Sequence, residues 1–313
     1  MAPDYPRGGN VRGNRQPMIV VVLGASGQLG SDLVRVARES RNVETLALTR
    51  KDLDVCELAS IAEVLSGKRF DVLVNCTGYH KTDEVEEHAA EAFRVNAHAV
   101  RAMAKVCKAR RAKFVQISTD YVFDGESRRP YAETDSTCPV NVYGASKLLG
   151  EKLALRVRPD GMYIVRAASL FGIAGSSGKG GNFVERILKK AKETGEVRVV
   201  NDVTMSPTCT VDAARVILKL LERDASAGTY HVVNSGSATW FEFAQQIIEG
   251  AEIQAKAVPV TSAEYPTAAI RPAYTVLDNR KAAEVVGTIQ DWRDALHRYL
   301  IDMGHAQVSR STA

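Results

Sequence analysis

Short, wholly apolar runs alternate with amphipathic helical stretches through the first 170 residues, and few architectures absorb that alternation. The run "MIVVVLG" is followed at once by glycines and then by "SDLVRVARES", which has helical spacing; this reads as a strand, a tight turn and a helix. The pattern repeats, with strands at "VETLALT", "FDVLVNCTG", "AKFVQIST" and "GMYIVRAA". The intervening helices are "ELASIAEVLSG", one long stretch "AAEAFRVNAHAVRAMAKVCKARR", and "NVYGASKLLGEKLAL". Strands that are apolar along their whole length are covered on both faces, and strands separated by helices pair in parallel. The expected fold is therefore α/β, a Rossmann-like doubly wound parallel sheet.

After residue 170 the alternation loosens. "LFGIAGSSGKGGNF" is rich in glycine and serine and reads as a mobile loop over the carboxyl edge of the sheet. Helices follow at "FVERILKKAKET", "VDAARVILKLLER", "WFEFAQQIIEG" and "IQDWRDALHRYL", with short strands "VRVV", "TYHVV" and "AKAVPV" between them. A smaller carboxy-terminal substrate-binding lobe is expected. The organisation reads as a flexible extension over 1–17, a dinucleotide-binding domain over 18–170 to which some later segments return, a mainly substrate-binding lobe over 171–303, and a tail over 304–313. Open α/β sheets bind ligands at the carboxyl ends of their strands, where the strand order reverses; here that place lies between the two lobes.

Composition narrows the function classes. At 313 residues and 45% hydrophobic, the chain can bury a full core. Its formal charge of +4 comes from 41 basic and 37 acidic residues, scattered without the basic block that marks a nucleic-acid surface. No apolar run approaches the roughly 18 residues of a membrane span, and the opening segment lacks the apolar centre of a signal peptide. Cys56, Cys76, Cys107, Cys138 and Cys209 are odd in number, widely spread and without a Cys-x-x-Cys pair. Neither a disulfide framework nor a zinc site follows, and a reducing, cytoplasmic setting does. His88, His98, His231, His297 and His305 have no metal-ligand spacing and read as surface or helix-face residues. No metal is assigned, and a homodimer is left open.

The turn after the first strand is "GASGQLG". Gly24, Gly27 and Gly30 meet three needs: a tight turn, close approach to a pyrophosphate, and contact between helix and strand. The helix amino terminus favours negative charge. Ser26, Gln28 and Leu29 share this turn and are expected to contact the dinucleotide. Further on, Tyr143 and Lys147 stand four apart in a helix, which puts them on one face.

Reducing a carbonyl takes a hydride and a proton. Free tyrosine titrates at about 10. An ammonium about 4 Å away stabilises the phenolate by up to about 4 kcal/mol, roughly three pK units. The spacing thus predicts that Lys147 brings Tyr143 toward neutrality as a proton donor and bonds the nicotinamide ribose. The hydroxyls of Ser118 and Thr119, at the end of the fourth strand, are the candidates to polarise the carbonyl. After the second strand, Thr49, Arg50 and Lys51 suit a ribose 2′-phosphate and favour NADPH. Asp52 and Asp54 follow immediately, so NADH remains the alternative.

The G-x-x-G-x-x-G spacing and the Tyr-x-x-x-Lys pair are those of the short-chain dehydrogenases. From about Met18 to Met303 the chain resembles, more narrowly, the extended members that reduce nucleotide-linked 4-keto sugars, the dTDP-4-dehydrorhamnose reductase family. The likeness rests on "GASGQLG", "DVLVNCTGYHKTDEVE", "STDYVFDG", "YAETDSTCPVNVYGASKLLGEK", "GKGGNF", "MSPTCT" and "YPTAAIRPAYTVLD". The pairing of "STDYVFDG" with "NVYGASK" is its most specific part. The resemblance implies NADPH-dependent reduction of a nucleotide-diphosphate sugar carrying a 4-keto-6-deoxyhexose, with Thr119, Tyr143 and Lys147 as the catalytic trio. It places Asn75 and Thr77 beside the cofactor, Asp54 and Val55 beside the adenine, and Asn182 and Phe183 along the nucleotide sugar. Arg271 is implied at the substrate pyrophosphate, which suits a bidentate guanidinium; a lobe-to-lobe ion pair is its other reading. Tyr79, His80 and Tyr121 are expected at the substrate.

Two departures stand against that pattern. Related chains often carry a tryptophan beside the sugar in a stretch like "RAASLFG", where this chain has Ser169 or Leu170. His80 and Lys81 fall where small residues are usual, either to read a different hexose or as solvated loop residues. Two other functions fit parts of the sequence. One is a non-catalytic NADP-binding regulatory subunit resembling the methionine adenosyltransferase β subunit, and the other a sugar-nucleotide epimerase or dehydratase. Asp120 follows Thr119 as in the dehydratases, but Tyr121 stands where they have glutamate.

Overall fold

The computed structural model describes residues 16–157, 159–175 and 181–307. Most of the extension expected over 1–17, the end of the tail, and the glycine-rich residues 176–180 lie outside them. The first half runs β1 (Met18–Leu23), α1 (Gln28–Ala37), β2 (Val43–Leu48), α2 (Leu58–Ser66), β3 (Val72–Asn75), α3 (Glu84–Glu87), α4 (Ala89–Phe93), α5 (Ala99–Arg110), β4 (Lys113–Thr119), α6 (Val142–Val157) and β5 (Met162–Ala167). The second half runs β6 (Leu170–Phe171), α7 (Phe183–Thr194), β7 (Glu196–Val200), β8 (Thr204–Met205), β9 (Thr208–Cys209), α8 (Thr210–Glu222), β10 (Gly228–His231), β11 (Ala238–Thr239), α9 (Trp240–Gly250), β12 (Lys256–Val260), α10 (Arg280–Val286) and α11 (Trp292–Asp302).

Six strands form one sheet in the order β2-β1-β3-β4-β5-β10, every neighbouring pair parallel. The continuous apolar runs have the expected cause. Val20 and Val22 of β1 face a cluster with Leu33, Ile217 and Trp292, while Val21 and Leu23 face another with Ile61, Leu65 and Met103. Alternate side chains of a strand point to opposite faces, so a strand buried on both must be apolar at every position. Each such Val or Leu contributes about 1.5–3 kcal/mol. The stretch "TYHVV" returns from the second half of the chain as the edge strand β10. "VRVV" and "AKAVPV" instead pair with each other as β7 and β12, in a separate parallel ribbon.

Two sequence expectations change. The long helix expected over residues 89–111 is interrupted by a π-helical turn at Arg94–His98, where the chain must bring the Asn96 side chain to the loop after β3. His231 is not a surface residue: it lies on β10 with no exposure, edge-on to Phe123 with ring centroids 5.8 Å apart. Burial and the nearby Arg166 push its imidazole down to about 3, so the ring is neutral.

Strand order reverses between β1 and β3, so a crevice opens beyond their carboxyl ends. There Gly24 turns the chain with φ of +75°. The helix α1 begins so close to that turn that a Cβ on Gly30 would overlap the Gly24 carbonyl oxygen. The obstructing atoms are backbone, so Gly30→Ala costs about 1–3 kcal/mol of strain. Its Tm in differential scanning calorimetry falls by several degrees; an unchanged Tm would show that the turn yields freely.

Candidate active site

A cleft of about 300 Å³ lies at this crevice. The first half of the chain lines it with Gly27, Gln28 and Leu29 at the start of α1, Thr77 and His80 after β3, Thr119 at the end of β4 and Tyr121 just beyond it, and Tyr143 and Lys147 from α6. Asn182 and Phe183 close it from the start of α7. Gly24, Ser26 and Gly30 shape the glycine turn without lining the cleft, and Asn75, Tyr79, Arg50, Asp54, Val55 and Arg271 also lie outside its lining.

The residues between Tyr143 and Lys147 have structural reasons. Asn141 starts the helix by accepting the Gly144 N–H at 2.8 Å. A Cβ on Gly144 would overlap the Tyr121 carbonyl oxygen, so only glycine lets α6 lie this close to the end of β4. Ser146 is wholly buried; its hydroxyl donates to the Tyr143 carbonyl at 2.8 Å and accepts from Asn96 Nδ2 at 3.0 Å.

The protonation pattern differs from the spacing argument. Lys147 Nζ donates to the Ile117 carbonyl at 2.6 Å, and burial pulls its pKa down to about 8, against the favourable charges of Glu151 and Cys76. Burial also pushes Tyr143 up to about 12, opposed by a hydrogen bond with Thr119. The sequence expectation that Lys147 brings Tyr143 toward neutrality is thus not met in this structure. Removal from water is the leading cause of the Tyr143 shift, and the Lys147 ammonium is directed at a backbone carbonyl.

Between the two candidate hydroxyls the geometry chooses. Ser118 Oγ is committed to Glu151 Oε1 at 2.5 Å, and Glu151 is held by Arg166 Nη2 at 2.8 Å. Thr119 Oγ1 lies in the cleft, donating to Asp120 Oδ1 at 2.9 Å and accepting the Tyr121 N–H at 3.2 Å. Burial raises the Asp120 carboxyl to about 6, against hydrogen bonds from Thr275 and Thr119. Tyr121 meets Tyr143 edge-on at 5.9 Å.

The flanking residues fall into supports and surface groups. Asn75 is fully buried; its Oδ1 accepts both the N–H and the hydroxyl of Thr77, at 3.1 and 2.6 Å, which fixes the turn after β3. Arg50 is exposed and pairs with Asp54 at 3.1 Å. Val55 packs in the core. Arg271 forms an ion pair with Asp83 at 2.7 Å, its alternative reading. Asn182 caps α7 by accepting the Glu185 N–H at 3.0 Å, and its amide donates to the Gly172 carbonyl and Tyr299 Oη, both at 2.9 Å.

Sequence reasoning missed three residues. Asn96, in the π-helical turn, accepts the Tyr79 N–H at 2.9 Å and donates to the Tyr79 carbonyl at 3.0 Å; its only signal was a polar side chain inside an apolar helical pattern. Trp240 and Arg186 line the cleft from the second half, yet both read as ordinary members of amphipathic helices. Ser169, at the departure noted above, lines the cleft with φ of +43°, a region that non-glycine residues rarely adopt.

A parallel sheet with a glycine turn after β1 and a tyrosine and lysine on a helix over β4 defines a Rossmann-like enzyme of the short-chain dehydrogenase type. Within that class the chain belongs to the RmlD substrate binding domain family, whose model matches residues 18–304. It is 38% identical over 279 residues to a dTDP-4-keto-6-deoxy-D-glucose reductase of Streptomyces niveus, covering 88% of this chain and 94% of that protein. It is 38% identical over 283 residues to a dTDP-4-dehydrorhamnose reductase of Streptomyces griseus, covering 88% and 91%. A dTDP-4-dehydrorhamnose reductase of Bacillus anthracis solved in complex with NADP superposes with a TM-score of 0.84 at 33% identity, covering 92% of this chain and all of that one.

Removing the Asn96 amide leaves the Tyr79 N–H and carbonyl unpaired, at about 1–3 kcal/mol for a buried group. Asn96→Ala is expected to lower the unfolding free energy by about 2 kcal/mol in urea titration. Unaltered stability would mean that the loop after β3 is held by other contacts.

Proposed function

We propose that this protein is an NADPH-dependent reductase of a nucleotide-linked 4-keto-6-deoxyhexose, with the activity of a dTDP-4-dehydrorhamnose reductase. The observation that carries this reading is the convergence of Thr119, Tyr143 and Lys147 on one cleft whose neighbouring wall is the glycine turn. The names of the relatives and the NADP complex of the Bacillus anthracis enzyme support it.

The residues at the start of α1 fit a dinucleotide. The helix opens without a capping side chain and without an acidic residue in its first turn, which leaves its amide donors to an anionic diphosphate. We assign Gly27, Gln28 and Leu29 to that diphosphate, and Thr77, oriented by Asn75, to the adjoining part of the cofactor. Arg50 is assigned to the 2′-phosphate, with Asp54 and Val55 beside the adenine. NADPH supplies the hydride when bound.

The protein's part is the proton and its control. With a pKa of about 12, Tyr143 is a neutral phenol at physiological pH and holds the proton at Oη that a nascent alkoxide needs. Lys147, at about 8, is mainly an ammonium there, one helical turn from Tyr143, and its charge favours the phenolate left behind. The Thr119 hydroxyl orients the carbonyl oxygen. Tyr121 and His80 are assigned to the sugar, Asn182 and Phe183 to its nucleotide side, and Arg271 to the diphosphate. The five cysteines are all free thiols, which supports a reducing compartment such as the cytoplasm.

The test is NADPH oxidation with dTDP-4-keto-6-deoxy sugars. Tyr143→Phe is expected to lose about 10²- to 10⁴-fold in turnover while still binding NADPH. Wild-type protein that binds NADPH but oxidises none with any such sugar would sink the proposal. The pH dependence follows from Lys147, whose charge is present below its pKa and lost above it. The value of kcat/KM is therefore expected to fall as pH rises through about 8. Glu151→Gln removes a carboxylate that favours the ammonium and is expected to move this limb to lower pH; a profile flat across this range would exclude the role.

A further inference from the structure

Between β12 and α10 the second half of the chain sends residues 269–272 back across the first half, and three separate loops fasten this strap. Asp83, in the loop after β3, accepts the Ala269 N–H at 3.1 Å through Oδ1 and pairs with Arg271 at 2.7 Å through Oδ2. Asn141, immediately before α6, donates through Nδ2 to the Ile270 carbonyl at 2.9 Å. Gly125, beyond β4, lies so close to Pro272 that a Cβ on the glycine would overlap it. Further along, the Thr275 hydroxyl bonds the Asp120 carboxyl.

Each fastening stands next to the cleft. Thr82 and His80 line it one and three residues before Asp83, Tyr143 lines it two residues after Asn141, and Tyr121 four residues before Gly125. So few residues leave few soft dihedrals between a fastening and the site. Asn141 has two tasks at once. Its Oδ1 accepts the Gly144 N–H at 2.8 Å and so caps the helix that carries Tyr143, while its Nδ2 holds the strap. Serine and aspartate cap a helix about as well as asparagine, so capping alone does not call for an amide. The strap does, because it needs a donor on the same short side chain.

We propose that Asn141 and Asp83 are positioning residues for the reduction: by holding the strap they fix the loop of His80 and Thr82 relative to the start of α6, and with it the site that receives the ketosugar. Neither residue lines the cleft, so both act through the groups they hold. This assignment rests on the reductase reading above and deepens it.

The two tasks of Asn141 separate by substitution. Asn141→Ser keeps a capping oxygen but is too short to reach the Ile270 carbonyl, whereas Asn141→Ala loses both contacts. In full-length protein saturated with NADPH, Asn141→Ser is expected to raise KM for a dTDP-4-keto-6-deoxy sugar about tenfold, with kcat changed less than about twofold and the Kd for NADPH unaltered. Asn141→Ala lowers kcat as well, because the helix start that carries Tyr143 loses its cap. Asp83→Asn keeps an acceptor for Ala269, gives up the charge facing Arg271, and raises KM. Combined with Asn141→Ser it raises KM by less than the product of the two single effects, since both hold one strap. Hydrogen exchange reads the strap without turnover: residues 269–272 exchange faster in Asn141→Ser than in the wild type. Exchange no faster than wild type, a KM within about twofold of it, or a fall in kcat that matches the rise in KM overturns the assignment. If the wild type reduces the ketosugar in that case, the reductase reading stands and only the role of the strap falls. If the wild type reduces none, both fall together.

Discussion

One face of α6 is fastened to the end of β4, and the geometry of the cleft depends on it. Gly144 lies on the Tyr121 carbonyl, Lys147 bonds the Ile117 carbonyl, and Glu151 takes the Ser118 hydroxyl. Positions 144, 147 and 151 share one helix face, so the three contacts set height, tilt and rotation together. Buried ion pairs are poor sources of net stability, because desolvation offsets their attraction. The Glu151–Arg166 pair, with side chains only 2% and 5% exposed, is better understood as alignment. Its carboxylate is satisfied on one side by Arg166 and on the other by Ser118, so α6 has one docked register over the strand that carries Thr119.

That docking also governs the charges. Burial is the leading cause of the shift at Tyr143, Lys147 and Asp120, and each is driven toward its neutral form. The tyrosine and the lysine respond in opposite directions because the neutral form of one is the acid and of the other the base. A phenol that keeps its proton at rest and an ammonium poised near its own pKa are what a proton donor and its stabiliser require. The shift toward neutrality inferred from an i, i+4 spacing alone left out burial, the leading cause at both residues.

The sheet was legible because burial on both faces forces apolar continuity, and β1, β3 and β4 could be read directly for that reason. Helices α7, α8, α9 and α11 were legible from their period. The π-helical turn at Arg94–His98 was not, because inserting one residue into a turn barely disturbs a hydrophobic pattern. His231 was misplaced since a neutral buried imidazole and a surface one are written with the same letter. The meeting of Thr119, Tyr143 and Lys147 in one cleft was visible in sequence because their spacing and their place at a strand end are local properties. Asn96, Arg186 and Trp240 were hidden because their roles depend on which tertiary neighbour they meet.

The two walls of the cleft differ in how they are built. The amino-terminal wall takes its residues from strand ends and helix starts of a single doubly wound sheet, so its geometry comes with the fold. The carboxy-terminal wall is assembled from α7 and α9, joined through the aromatic contacts of Phe183, Trp240 and Phe243. Between them Ser169 holds a left-handed backbone, a conformation that costs on the order of 1–3 kcal/mol and persists only where its surroundings enforce it. The flat aromatic surface of the cleft comes from Trp240 of α9. An aromatic carried by a separate, capped helix can change without disturbing the strand ends that hold Thr119 and the helix that holds Tyr143. Chemistry and ligand recognition can therefore diverge independently on this scaffold.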